Sequence, residues 1–74
     1  MESTVLDTRG LACPLPVLKA KKVLAGLKPG ATLEVIATDP QSPADFEVLC
    51  SVGGHILMAS SHADGVYRFQ IRRG

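Results

Sequence analysis

Breakers constrain this chain more than any other feature. Lys28-Pro29-Gly30, Asp39-Pro40, Ser42-Pro43, Gly53-Gly54 and Asp64-Gly65 cut it into short segments. Proline and glycine interrupt helices and strands for different steric reasons, so what lies between them must be short elements. Val5 and Leu6 ahead of Gly10 place a first strand over Thr4–Thr8. From Pro14 to about Leu27 the apolar residues Val17, Leu18, Ala20, Val23, Leu24 and Leu27 recur at helical spacing, with Lys19 and Lys22 opposite. Thr32–Thr38 reads as a strand with Leu33, Val35 and Ala37 on one face and Ile36 on the other.

A second helix opens after Asp39-Pro40-Gln41-Ser42-Pro43. Asp39 and Ser42 each precede a proline and each suit an N-cap; Ser42 is the better choice, because Asp45 follows at the acidic position of a capping box. Phe46, Val48, Leu49 and Val52 form the expected apolar face of this helix, which Gly53-Gly54 ends. His55–Ser61 and Val66–Arg72 are strands around the favoured Asp64-Gly65 hairpin turn. The order is β-α-β-α-β-β. Two helices cover only one face of four strands, so the expected fold is a two-layer α/β (α+β) sandwich. Its mixed four-stranded sheet carries both helices on one face, and the last hairpin forms an antiparallel edge.

With 74 residues the chain supports one small domain, expected to span 1–74. Only two cysteines and two histidines are present, without zinc-ligand spacing, so no metal or cofactor is expected and the core relies on packing. The first residues lack the pattern of a signal peptide, and no apolar run approaches the roughly 20 residues of a membrane span. A cytoplasmic location with reduced thiols is expected, and membrane association is not. The formal net charge of +1 gives no case for direct nucleic-acid binding.

The chemically informative segment is Arg9-Gly10-Leu11-Ala12-Cys13-Pro14-Leu15-Pro16. Cys13 is expected at the N-cap of the first helix, with Pro14 at the first helical position and Pro16 in the first turn, where missing N–H groups cost little. Two prolines stiffen this start and hold the sulfur in place. The partial positive charge of a helix N-terminus, with Arg9 nearby, is expected to favour the thiolate.

The stretch Leu6-Asp7-Thr8-Arg9-Gly10-Leu11-Ala12-Cys13-Pro14-Leu15-Pro16 resembles the signature of the TusA/SirA-like sulfur-carrier family, with Cys-Pro-x-Pro at the start of the first helix. The similarity continues through Leu27-Lys28-Pro29-Gly30, Ala37-Thr38-Asp39-Pro40, Gly54-His55 and Tyr67–Arg73, covering nearly the whole chain from Val5. It implies a β-α-β-α-β-β sandwich in which Cys13 carries sulfur as a persulfide. It also implies a donor protein, a cysteine desulfurase or a rhodanese, and an acceptor protein in tRNA thiolation, molybdenum-cofactor maturation or sulfur oxidation. Two positions depart from the pattern: Leu15 replaces the acidic residue of many tRNA-thiolation members, and Ala44 stands where some carry an arginine before the aspartate. Both bear on the partner rather than on the carrier chemistry.

Other positions have plainer readings. Cys50 is expected to be a small core residue, His55 to start a strand or cap a helix, and His62 to be solvated. Asp39 ends a strand whose edge lies toward Cys13, although helix capping is its expected role. Lys19, Lys21, Lys22 and Lys28, with Arg9, form a basic tract suited to docking an acidic partner surface, or simply a solvated face. No base or orienting group stands beside Cys13 in the sequence, as a self-contained cysteine enzyme would need. Three functions follow: a monomeric sulfur carrier, an interaction module without sulfur chemistry, or a redox protein cycling a Cys13–Cys50 disulfide. The paired prolines favour the first. Cys50, buried by its pattern, argues against the third.

Overall fold

The computed structural model describes residues 3–74. The elements are β1 (Ser3–Thr8), α1 (Leu15–Ala25), β2 (Thr32–Ala37), α2 (Ser42–Gly53), β3 (Ile56–Ala63) and β4 (Val66–Arg72). They form a mixed sheet in the order β1-β2-β4-β3, with β1 parallel to β2 and β4 antiparallel to both β2 and β3. The expected sandwich is present, with the last hairpin at one edge of the sheet: β4 lies inside and β3 forms the edge strand. Asp64 and Gly65 both have positive φ, 52° and 76°, as the tight Asp-Gly hairpin turn requires.

Strand alternation decides the layers. Leu33, Val35 and Ala37 of β2, with Phe69 and Ile71 of β4, are buried on one sheet face. Against them pack Ala20 and Leu24 of α1 and Phe46, Leu49 and Cys50 of α2. The Phe46 and Phe69 rings stack at 4.7 Å, an arrangement worth about 0.5–1.5 kcal/mol beyond area burial. On the opposite face Glu34, Arg68 and Gln70 stand at paired positions.

Several boundaries and faces differ from expectation. Pro16, Ala20 and Leu24 form the buried seam of α1 at four-residue spacing, which leaves Leu18 exposed. Helix α1 stops at Ala25 because Gly26 and Leu27 turn to tight three-residue bonds, Gly26 N to Val23 O and Leu27 N to Leu24 O. Leu27 still packs on the core, and the Arg73 Nε donates to the Leu24 carbonyl at 2.7 Å, closing the helix end with a residue distant in sequence. On α2, Val48 and Val52 are 61% and 84% exposed rather than core, because Phe46, Leu49 and Cys50 fill the inward face.

Ser42 does not cap α2. The backbone is already helical at Gln41, and Asp39 serves the free donors: its Oδ1 accepts from the Gln41 N–H and its carbonyl from the Ser42 N–H, both at 3.0 Å. Ser42 is thereby drawn into the first turn and buried, with its hydroxyl unpartnered. The helix ends at Gly54, whose left-handed φ of 74° needs glycine, and both Gly54 and His55 donate to the Cys50 carbonyl.

For the site, the decisive feature is the parallel pair β1–β2. Parallel neighbours end at the same edge of a sheet, so the loops leading into α1 and α2 emerge side by side. Ligand and reaction sites gather at such edges.

Candidate functional site

The two loops are stitched together by side chains. The Thr8 hydroxyl donates to the Ile36 carbonyl at 2.7 Å, and the Gly10 N–H donates to the Thr38 hydroxyl at 2.9 Å. Gly10 has φ 81°, a conformation that favours glycine. The Cys13 N–H donates to Asp39 Oδ2 at 2.5 Å. Asp39 thus caps α2 with one oxygen and anchors the Cys13 backbone with the other, joining the two roles the sequence left separate.

Cys13 lies one residue further out than expected. Pro14, not Cys13, is the N-cap, and Leu15 and Pro16 are the first two helical residues. A proline cap offers no side-chain hydrogen bond, so the carboxylates of α2 and its preceding loop take over the polar contacts of this start. Pro16 is buried and fixes the helix to the core, whereas Pro14 and Cys13 are exposed. The Cys13–Pro14 peptide bond is cis.

The charge environment of the sulfur is the reverse of the expected one. The Cys13 thiol donates to Asp45 Oδ2 at 3.0 Å. That hydrogen bond, followed by desolvation and the negative charges of Asp45 and Asp39, pushes the thiol above its ordinary range. Two carboxylates outweigh the half-charge of one short helix. Arg9 does not oppose them. Its guanidinium is held by Asp7, with Nη2–Oδ2 at 2.7 Å and Nε–Oδ1 at 3.0 Å, and this pairing lowers the Asp7 carboxyl to about 2.

Asp45 is the residue the sequence reading assigned elsewhere, as the acid of a capping box. The usable signal was its place in the first turn of the helix that follows the second of two parallel strands. That places it on the same edge as Cys13.

From Cys13 a groove of about 350 Å³ runs between the helices. Pro14, Val17 and Lys21 line one wall, Asp45, Val48 and Val52 the other, with His55 among the remaining lining residues. Lys21 therefore faces the groove, whereas Lys19 and Lys22 are exposed on α1 outside it. The second thiol, Cys50, is buried at 4% exposure, and burial pushes it above its ordinary range. Both cysteines are free. His55 accepts a hydrogen bond from the Gly74 N–H at Nδ1, and His62 stacks on Tyr67 at 4.2 Å. Among the described residues no cluster of three or more histidine, cysteine or acidic side chains is arranged to hold a metal ion, and no helix is long and apolar enough to cross a membrane.

Comparison with known proteins shows the family of the chain and agrees with its fold. The profile of the family Sulfurtransferase TusA matches residues 4–73. The sulfur carrier protein TusA of Allochromatium vinosum is 46% identical over 68 residues, covering 92% of this chain and 90% of its own length. A relative in Neisseria meningitidis serogroup A, itself a candidate sulfur carrier, is 47% identical over 72 residues and 97% of each chain. The crystal structure of a SirA-like protein from Desulfitobacterium hafniense superposes with a TM-score of 0.85 at 29% identity, covering 96% of this chain and 97% of that one. The chain belongs to the TusA sulfurtransferase family.

Proposed function

We propose that this protein is a sulfur carrier: Cys13 accepts a sulfane sulfur from a donor protein, holds it as a persulfide and delivers it to an acceptor protein. The observation that carries the reading is the exposed Cys13 thiol, anchored through its own N–H by Asp39 at the mouth of an open groove. An anchored, reachable thiol with no enclosing pocket suits exchange with the active sites of larger proteins. Family membership and the sulfur-carrier relatives support the same reading.

The residues divide the work. Asp39 fixes the Cys13 backbone, Pro14 forms the stiff cap and Pro16 locks α1 to the core. Lys21 in the groove, with Lys19 and Lys22 beside it, attracts acidic surfaces on donor and acceptor, which speeds encounter more than it tightens the complex. Arg9 supports the site by holding Asp7 at the end of β1. The donor is a cysteine desulfurase or a rhodanese, and the acceptor belongs to tRNA thiolation, molybdenum-cofactor maturation or sulfur oxidation. The protein works in the cytoplasm as a single carrier domain, a monomer between partners.

The test is a relay assay. A desulfurase is charged with sulfur-labelled cysteine, or a rhodanese with labelled thiosulfate, and label is followed onto this protein and then onto a thiol acceptor. Label passing through wild type but not through Cys13→Ser is the expected result. No transfer from either donor would contradict the carrier reading and leave an interaction module of the same fold.

A further inference from the structure

A carrier thiol must lose its proton before it attacks, and Cys13 has a base in direct contact. Resting on the carrier reading above, we propose that Asp45 is a catalytic residue of the transfer: its Oδ2, 3.0 Å from Cys13 Sγ, takes the thiol proton when Cys13 attacks and supplies a proton when Cys13 departs.

The neighbouring groups leave this role to Asp45. Asp39, from the loop before α2, has Oδ2 engaged by the Cys13 N–H and Oδ1 by the Gln41 N–H. Arg9, from the loop after β1, is bound to Asp7. Lys21 of α1 lines the groove but is not hydrogen-bonded to the sulfur, and the Nδ1 of His55 is occupied by the Gly74 N–H. Asp45 projects from the first turn of α2, on a rigid element packed by Phe46 and Leu49, so the distance to Sγ is built into the fold.

The chemistry balances without an oxidant. In loading, Asp45 accepts the Cys13 proton and the thiolate attacks the terminal sulfur of the donor persulfide. The donor's S–S bond breaks as the new bond to Cys13 Sγ forms, and the departing donor thiolate takes up a proton from Asp45. In delivery, the acceptor thiol gives its proton to Asp45 as it attacks the outer sulfur, the bond to Cys13 breaks, and Asp45 passes that proton to the departing Cys13. The sulfane sulfur keeps its oxidation level throughout.

The experiment compares wild type, Asp45→Asn, Asp45→Glu and, as a control on the exposed side of the same helix, Glu47→Gln. Two quantities are read: the pH midpoint of Cys13 alkylation by iodoacetamide, and the rate at which persulfide-loaded protein gives sulfur to a small thiol. Asp45→Asn is expected to lower the midpoint by about one pH unit, the scale of one lost like-charge neighbour, and to slow delivery about tenfold or more, within the range of general acid catalysis. Asp45→Glu is expected to recover part of both, and Glu47→Gln to match wild type. An unchanged midpoint or an unchanged delivery rate in Asp45→Asn would overturn the proposal. Wild type that takes up no sulfur would overturn the carrier reading instead. The alkylation midpoints, which need no sulfur, would still decide whether Asp45 holds the Cys13 proton.

Discussion

The two cysteines of this chain are the same chemical group in opposite surroundings. Cys50 sits in the core among Phe46, Leu49 and the sheet, and burial alone raises its pKa. Cys13 is exposed at the head of α1, and its pKa is raised first by a hydrogen bond to Asp45. The direction of the shift is shared; the consequence is not. Desolvation keeps Cys50 protonated and out of reach, while Asp45 keeps Cys13 protonated beside a base and open to a partner. Reactivity here depends on access and on the neighbour that holds the proton, more than on the sign of a pKa shift.

The contrast is broken most easily by chemical labelling. In native protein in mildly alkaline buffer, an alkylating reagent followed by digestion should modify Cys13 at least about a thousandfold faster than Cys50, because Cys50 reacts only from opened molecules. Comparable rates would show that the core around α2 opens freely. Stability should reverse the order of importance. Cys50→Ala, which leaves a small core cavity, is expected to cost about 1–2 kcal/mol in chemical denaturation. Cys13→Ser is expected to leave the unfolding midpoint where it is.

Asp39 sharpens the comparison, because it anchors the reactive thiol without touching its sulfur. Asp39→Ala removes acceptors from both the Cys13 and Gln41 N–H groups and is expected to cost about 1–2 kcal/mol. Asp39→Asn keeps one acceptor oxygen and should cost less, and equal losses for the two variants would mean that charge rather than hydrogen bonding matters there. The smallest effect expected is at Asp7. Its folded carboxyl is lowered from 3.8 to about 2, so its contribution is present above the unfolded value and is lost as pH falls through about 2. Asp7→Asn should therefore lose a small contribution at neutral pH, flatten the decline of stability between pH 3.8 and about 2, and match wild type below that window. A decline as steep as in wild type would place the acid-sensitive group elsewhere.

Much of the fold was legible in the sequence because it rests on local rules. Alternation in Thr32–Thr38, the Asp64-Gly65 turn and the Gly53-Gly54 stop act over a few residues, and all three appear as read. Helix faces were less legible: Leu18, Val48 and Val52 fit an apolar period but lie exposed, because Ala20, Leu24, Phe46, Leu49 and Cys50 already fill the space over one small sheet face. The order of the last hairpin also escaped local rules, since pairing β4 rather than β3 with β2 is a long-range choice. At the site, the prolines placed Cys13 at the head of α1 to within one residue. Its electrostatics were not, because the carboxylates that govern the sulfur come from a segment more than twenty residues away and reach it only through the parallel β1–β2 edge.

The most direct test of the central claim is intact-protein mass spectrometry after incubation with a cysteine desulfurase and cysteine, on wild type, Cys13→Ser and Cys50→Ser. The account predicts the added mass of one sulfur atom in wild type and in Cys50→Ser, reversible by a thiol reductant, and none in Cys13→Ser. Sulfur retained by Cys13→Ser, or absent from wild type with both desulfurase and rhodanese donors, would contradict it.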